Sequence, residues 1–392
     1  MGKSVELWYT HAYGGWYDKY HKDHPDWFAL QPDHTRNQTP PRERLCVSNM
    51  GLIEEIARDK IAYLKENPNM LCASISPNDG GRNAFCMCEN CRKLDPVDAP
   101  PIEYTYYKGP VKTTVPYVSL SDRYVWFYSR IAERVAKELP DRYVGAYAYS
   151  IYRTPPVRQK LHDNVIIGLV AFSYMNDDAR DKGFEQWQGW RKNAKNLFLR
   201  PNAFFVAGGG PVNFARAIAA DFKKLHADGL RIVDYDGWVG NWGSQGLSVY
   251  VLAKVLWNPA ADVDALIRDY VQKGFGPAAG PVGEYFQALE DFTTAIAKAR
   301  DYRGMKTDSR LLMGKYDDAF LSRMRAILDR ARQAAAQDPV VLARIAKLSA
   351  GLDYAEALRE SILNKNPEKL KAFRLAHALD FTVNVECLKV LR

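Results

Sequence analysis

Short β-rich runs alternate with amphipathic helical segments along the first part of the chain, up to about Asn241. The β-rich runs are VELWYTH (Val5–His11), LCASISP (Leu71–Pro77), YVGAYAYS (Tyr143–Ser150), VIIGLVAF (Val165–Phe172), NAFFVA (Asn202–Ala207) and LRIVDYD (Leu230–Asp236). Apolar residues recur at helical spacing in the intervening segments GLIEEIARDKIAYLKENP, DRYVWFYSRIAERVAKELPD, FEQWQGWRKNAKNL and PVNFARAIAADFKKLHADG. This alternation predicts an α/β fold with a parallel sheet and covering helices, either a barrel or a doubly wound sheet.

The pattern changes after Gly246, where strand signals stop and helical signals dominate to the C-terminus. Proline and glycine separate the helical segments, as at Pro259, Gly276-Pro277, Pro339 and Pro367. The sequence therefore predicts a barrel-like domain over residues 1–245 and a C-terminal helical bundle over residues 246–392.

Composition and charge exclude several classes of protein. The 392 residues are 47% hydrophobic, which is typical of a globular chain with a large core, and no apolar run is long enough for a membrane span. The formal charge of +8 comes largely from basic residues that alternate with acidic ones on helical faces, so we expect no nucleic-acid partner. The only run of three glycines, in AGGGPVN, lacks the spacing of a dinucleotide-binding turn, and no organic cofactor is predicted. No secretory signal is visible at the N-terminus.

Three of the six cysteines, Cys86, Cys88 and Cys91, fall within six residues. The spacing of Cys88 and Cys91 allows two thiolates to reach one tetrahedral ion, and Cys86 can supply a third. Cys46, in a loop just before a predicted helix, is our candidate for the fourth ligand of a structural zinc. A disulfide within the cluster and free thiols remain alternatives. Cys72 lies inside a strand pattern and is expected in the core.

Carboxylates follow two of the predicted strands. Asp79 lies in the turn Asn78-Asp79-Gly80-Gly81 after LCASISP, and Asp234 and Asp236 share one face of LRIVDYD. In a parallel barrel the reactive groups come from the carboxyl ends of the strands, and glycoside hydrolysis needs two carboxylates there. Turn formation and helix capping are the structural alternative for the Asn-Asp-Gly-Gly sequence.

Aromatic residues cluster at or just after the same strand ends. Sugars stack their apolar faces on such rings and need neighbouring polar groups for their hydroxyls. The predicted substrate-binding residues are His11, Asn78, Tyr149, Trp238, Asn241 and Trp242.

Several phrases taken together resemble a known family. HPDWFAL, LCVSN, SPNDGG followed by CMCENCRKLD, AYAYSIYRTPP and GSQGLSVYVLAKVLWNP are similar to bacterial proteins of domain of unknown function family 4838, which overlaps glycoside hydrolase family 163. The resemblance runs from about His11 to Tyr285. It implies a TIM-type barrel followed by helices, and an exported enzyme of complex glycan breakdown. Characterised relatives are retaining endo-β-N-acetylglucosaminidases that act on N-glycans.

Two departures from the family pattern affect what the resemblance implies. Relatives carry an N-terminal domain and the first barrel strands ahead of the segment that VELWYTH resembles, which predicts a barrel lacking its first strands or a truncated chain. The family usually has Glu where this chain has Asp236.

The resulting expectation is a glycoside hydrolase with Asp236 as general acid/base and Asp79 as nucleophile or acetamido-orienting group. The alternative is a catalytically degenerate barrel that binds carbohydrate.

Overall fold

The computed structural model describes residues 6–204, 209–235, 242–302 and 309–377. The chain forms two compact units, the first made of Met1–Ala171 with Gly183–Arg200 and the second of Phe172–Lys182 with Pro201–Arg392. The predicted boundary between residues 245 and 246 stays a prediction.

The first unit contains a five-stranded, fully parallel sheet. Its strands are β1 (Glu6–Leu7), β2 (Met70–Ser74), β5 (Tyr143–Ala148), β6 (Val165–Leu169) and β7 (Asn196–Leu199), and they neighbour one another in that order. A bridge between His11 and Ser76 extends the pairing beyond β1 and β2. The predicted parallel sheet is thus confirmed, whereas closure into a barrel stays a prediction.

The helices of the first unit are α1 (Trp16–Tyr20), α2 (Met50–Glu66), α3 (Glu89–Arg92) and α4 (Ser121–Glu138), with short 3₁₀ turns at Pro25–Trp27 and Ser150–Tyr152. Two of them, α2 and α4, occupy predicted amphipathic segments, whereas the short helices α1 and α3 were not predicted. Asn49 caps α2 because its side chain accepts the Leu52 N–H. Helix α2 buries its Leu and Ile side chains, and it also buries Lys60, which pairs with Asp59.

Two elements of this unit differ from the sequence prediction. An antiparallel hairpin, β3 (Ile102–Lys108) and β4 (Val111–Tyr117), turns at Gly109, which has a φ of 59°. Helix α5 (Asp177–Arg191) begins in the second unit and ends in the first, well before the end of the predicted segment FEQWQGWRKNAKNL. The apolar end of that segment forms β7 instead, because pairing with β6 outweighs a weak helical pattern.

Helices make up most of the described second unit, and the predicted C-terminal helical region is confirmed. They are α6 (Ala215–Ala227), α7 (Trp242–Trp257), α8 (Val263–Phe275), α9 (Ala279–Ala299), α10 (Ser309–Lys315), α11 (Asp318–Ala334), α12 (Pro339–Leu363) and α13 (Glu368–Ala376), with a 3₁₀ turn at Gly276–Ala278. Of the predicted strand LRIVDYD, only Val233 among the described residues forms a bridge. Among the residues with a described structure, no helix is both long and apolar enough to cross a membrane.

Candidate functional site

The turn that carries Asp79 lies at the carboxyl end of β2. Gly80 permits a close approach, since a Cβ there would lie 2.9 Å from Arg44 Nη2 and 3.0 Å from the Tyr104 hydroxyl oxygen. Gly81 has a φ of 99°, which favours glycine, and its N–H donates to the Tyr104 hydroxyl at 3.1 Å. The hairpin β3–β4 therefore holds the turn from one side.

The carboxylate of Asp79 is oriented from two directions. Its Oδ2 lies 2.8 Å from Arg42 Nη1, and its Oδ1 accepts the N–H of Gly80 at 2.8 Å. Arg42 also donates to the Gly80 carbonyl oxygen at 2.7 Å, so one guanidinium binds both the carboxylate and the backbone of the turn. The side chain of Asp79 keeps 37% of its surface exposed, which leaves room for a ligand to reach it.

Two predicted site residues lie within electrostatic range of Asp79. His11 Nδ1 donates to the carbonyl oxygen of Pro77 at 2.5 Å, and its ring meets the Tyr147 ring edge-on. Desolvation lowers the pKa of His11 below its usual 6.5, although the negative charge of Asp79 raises it in part. Desolvation, and then the charge of Asp79, raise the pKa of Tyr149. His11 and Tyr149 are thus near enough to Asp79, at the carboxyl edge of the sheet, for its charge to affect their pKa values.

This grouping predicts a change in the titration of His11. Replacing Asp79 with Asn removes the negative charge that raises the pKa of His11, so the His11 pKa should fall further below 6.5. NMR titration of the His11 ring protons in the wild type and in Asp79→Asn measures the shift. Asp98 is an exposed aspartate in the connection between β2 and β3, which also contains Asp79. The control variant Asp98→Asn should leave the titration of His11 unchanged. An unchanged His11 pKa in Asp79→Asn would show that the two groups do not interact.

Asn78 has a buried position rather than an open one, with 4% of its surface exposed. Its Oδ1 accepts the N–H of Tyr13 at 3.0 Å, and its carbonyl oxygen accepts from Arg44 Nη1 at 2.5 Å. These bonds join the segment after β1 to the segment after β2. Asn78 was predicted to bind substrate, and its described contacts are those of a residue that positions the Asp79 turn.

Glu43 is a buried carboxylate that the sequence reasoning missed. Its side chain is 1% exposed, and neither carboxylate oxygen has a hydrogen-bond partner in the described part of the chain. A cavity of about 10 Å³, roughly the room one water needs, is lined by Glu43 and by Asn78, whose Nδ2 also lacks a partner. In the sequence Glu43 is a charged residue just ahead of the apolar run LCV, and this local pattern does not predict that its side chain is buried.

The remaining predicted substrate-binding and catalytic residues divide into two groups. Trp242 is described at the start of α7, in the second unit, where its Nε1 donates to the Tyr270 hydroxyl oxygen at 3.2 Å. Asp236, Trp238 and Asn241 lie outside the described residues, so their roles stay predictions.

Four thiols of the first unit form a compact cluster. The Sγ atoms of Cys46, Cys86, Cys88 and Cys91 all lie within 4.8 Å of one another, with Cys46 at 3.6 Å from Cys88 and at 3.9 Å from Cys91. A tetrahedral ion with metal–sulfur bonds of about 2.3 Å separates its ligands by about 3.8 Å. The cluster therefore fits a metal ion, and Cys46 is the fourth member that the sequence predicted. Cys72, by contrast, is fully buried in the apolar core, as expected.

The protonation of the cluster also favours a cation. Hydrogen bonding with Cys86 lowers the pKa of Cys46 to about 7, and hydrogen bonding with Cys46 lowers the pKa of Cys88. Hydrogen bonding with Cys46 has the opposite effect on the other two thiols and raises the pKa of Cys86 and of Cys91. Four adjacent thiols thus do not all ionise by themselves, and a bound cation would stabilise all four as thiolates.

Two guanidinium groups place positive charge beside the thiols. Burial by itself lowers the pKa of each guanidinium. Contact with the Cys46 thiolate nevertheless raises the pKa of Arg36, and Asp95 and Cys91 raise the pKa of Arg123. Arg123 is 1% exposed, binds both carboxylate oxygens of Asp95 and donates to the Cys86 carbonyl oxygen at 2.7 Å. The N–H of Leu30 donates to Cys86 Sγ at 3.3 Å. Such contacts orient thiolate ligands and offset their charge.

The loop between the Asp79 turn and the cysteines is bound along its length. Asn83 Oδ1 accepts the N–H of Thr39 at 2.8 Å, and its Nδ2 donates to the Arg42 carbonyl oxygen at 2.7 Å. The Tyr117 hydroxyl donates to the Phe85 carbonyl oxygen at 2.7 Å. Asp79 and the thiol cluster are therefore two ends of one ordered connection.

A family model matches most of the chain. The model of a domain of unknown function, DUF4838, matches residues 1–287. No curated protein matches the chain.

Proposed function

The chain belongs to the DUF4838 family, and from this premise we propose that it is a glycoside hydrolase acting on complex glycans. The expected activity is that of a retaining endo-β-N-acetylglucosaminidase. The observation that carries the proposal is the oriented Asp79 carboxylate at the carboxyl edge of a parallel sheet, with His11 and Tyr149 beside it. Enzymes built on parallel barrels place their reacting groups at this edge.

The proposed roles of the two carboxylates follow from the retaining mechanism. Asp236 acts as general acid and gives a proton to the glycosidic oxygen as the bond to the anomeric carbon breaks. Asp79, fixed by Arg42 and the Gly80 N–H, either attacks the anomeric carbon or orients the substrate's own acetamido group for that attack. Water then completes hydrolysis, and the same general acid/base removes its proton.

We further propose that the sheet is part of a (β/α) barrel. Its five strands neighbour one another in chain order, and all four pairings are parallel. A doubly wound sheet reverses its strand order at the point where ligands bind, and the five described strands contain no such reversal.

For the thiol cluster we propose zinc. Four thiolates select zinc or iron among the common metals, and tetrahedral separation of the sulfurs suits both. A closed site with four protein ligands contributes folding energy and leaves no position open for chemistry, so the ion would be structural. Cys86, Cys88 and Cys91 would anchor the far end of the loop that begins at Asp79.

The activity is tested with N-glycoprotein and with an aryl β-N-acetylglucosaminide. We expect the wild type to release free glycans, detected by mass spectrometry, and NMR of the first product to show the β anomer. Glycan binding without release over long incubation would contradict hydrolysis and support the degenerate, carbohydrate-binding alternative, which the replacement of the family's usual Glu by Asp236 favours. Release of the α anomer would exclude the retaining mechanism.

A further inference from the structure

A second pocket lies wholly within the second unit, between three of its helices. Helix α7 supplies Trp242 and Tyr250, α8 supplies Tyr270 and Lys273, and α12 supplies cationic residues described below. The pocket has a volume of about 370 Å³, which lies in the range that small-molecule sites occupy.

An exposed indole held in a fixed orientation forms one wall of the pocket. Trp242, the first residue of α7, keeps 43% of its surface exposed, which is unusual for so large an apolar side chain. Its ring lies against the backbone at Gly246, where an added Cβ would be 2.9 Å from Nε1. Its Nε1 donates to the Tyr270 hydroxyl oxygen, and the ring of Tyr270 lies 5.0 Å from that of Tyr250. The indole is thus a preformed platform with a solvent-facing surface.

The rim of the pocket has a positive charge. Arg344 donates to the Gly274 carbonyl oxygen at 2.7 Å, and its charge acts on the Tyr270 hydroxyl. Lys347 lines the pocket and forms no ion pair or hydrogen bond in the part of the chain that the structure describes. Lys273 pairs with the one acidic lining residue, Asp269, at 2.6 Å. Three cations therefore face one carboxylate.

We propose that this pocket binds a sugar that carries a carboxylate, such as a hexuronic or sialic acid unit. An apolar sugar face would stack on Trp242, the carboxylate would meet Lys347 and Arg344, and the Tyr hydroxyls and Asp269 would bind ring hydroxyls. The indole of Trp242 favours a ligand with an apolar sugar face over a free inorganic anion, which has no surface to stack on the ring. The inference does not depend on the proposed hydrolysis.

Isothermal titration of the full chain with glucuronic acid, N-acetylneuraminic acid and glucose tests the proposal. We expect at least one acid to bind, glucose to bind about tenfold more weakly or not at all, and added salt to weaken the binding of the acid. Equal binding of acid and glucose would overturn the proposal, as would binding of inorganic phosphate in preference to both acids.

Two variants and a matched control place the ligand in the pocket. Trp242→Ala and Lys347→Ala should each weaken binding of the acid by roughly tenfold, since each removes one contact of the proposed kind. Trp257, at the other end of α7 and 84% exposed, provides the control Trp257→Ala, which should bind as the wild type does. Unchanged affinity in Trp242→Ala, or equal losses in Trp242→Ala and Trp257→Ala, would contradict the assignment. Glycan hydrolysis is measured in parallel and tests the proposed role of Asp79, so failure of the pocket proposal can be told apart from failure of the proposed activity.

Discussion

Replacing Cys88 and Cys91 together with Ser should remove the bound metal and lower the melting temperature of the protein. Both side chains belong to the four-thiol cluster, and serine hydroxyls do not replace thiolates as zinc ligands. Loss of a structural metal is one of the few changes that lower the free energy of unfolding by about 4 kcal/mol or more. For a unit of this size, such a loss lowers the melting temperature by about 10 °C. Calorimetry and elemental analysis of the two purified proteins measure the effects.

Cys72 provides the control for this experiment. It is buried in the core of the same unit, away from the cluster, so Cys72→Ala should keep one metal ion per chain even if it loses some stability. The account is wrong if the double variant keeps its full metal content and the wild-type melting temperature.

Asp79→Asn should reduce glycan hydrolysis by roughly 10² to 10⁴-fold, the usual effect of losing a positioned catalytic group. The substitution keeps the shape of the side chain but removes the charge that attacks or orients the reacting centre. Its ion pair with Arg42 is partly exposed, with 43% and 37% of the two side chains accessible, so stability should change by no more than about 1 kcal/mol. Initial rates, together with melting curves, separate the two effects.

Asp98→Asn is the matched control for hydrolysis, because Asp98 is an exposed aspartate in the connection that follows the cysteines. It should keep the wild-type rate. Wild-type turnover by Asp79→Asn, or an equal loss in both variants, would remove Asp79 from the mechanism. A loss of rate accompanied by a large fall in melting temperature would assign Asp79 a structural role instead.

The sequence predicted those parts of the fold that local patterns determine. Helix α12 begins at Pro339, one of the residues predicted to separate helical segments, because proline suits a first helical turn and Asp338 caps the helix by accepting the N–H groups of Val340 and Val341. Cys46 was chosen as the fourth thiol because it lies in a loop just ahead of a helix, and the structure places it in the cluster.

Two kinds of feature were not predicted, one with a local sequence signal and one without. The segment 102–117 alternates aromatic and β-branched residues around Gly109-Pro110, a hairpin signal that was overlooked. The burial of Glu43 and the role of Asn78 depend on packing between segments far apart in sequence, which no local pattern reports. Asp79 is a predicted site residue because carboxylates that follow strands of a parallel sheet converge at one edge, and its catalytic role stays a prediction.

Native mass spectrometry of the wild-type chain, combined with cysteine alkylation, tests the central claim that a zinc ion anchors the Asp79 loop. The account predicts one zinc ion per chain, released on acid denaturation, with Cys46, Cys86, Cys88 and Cys91 protected from alkylation until the metal is removed. A metal-free mass, with these four thiols either freely alkylated or joined in disulfides, would contradict it.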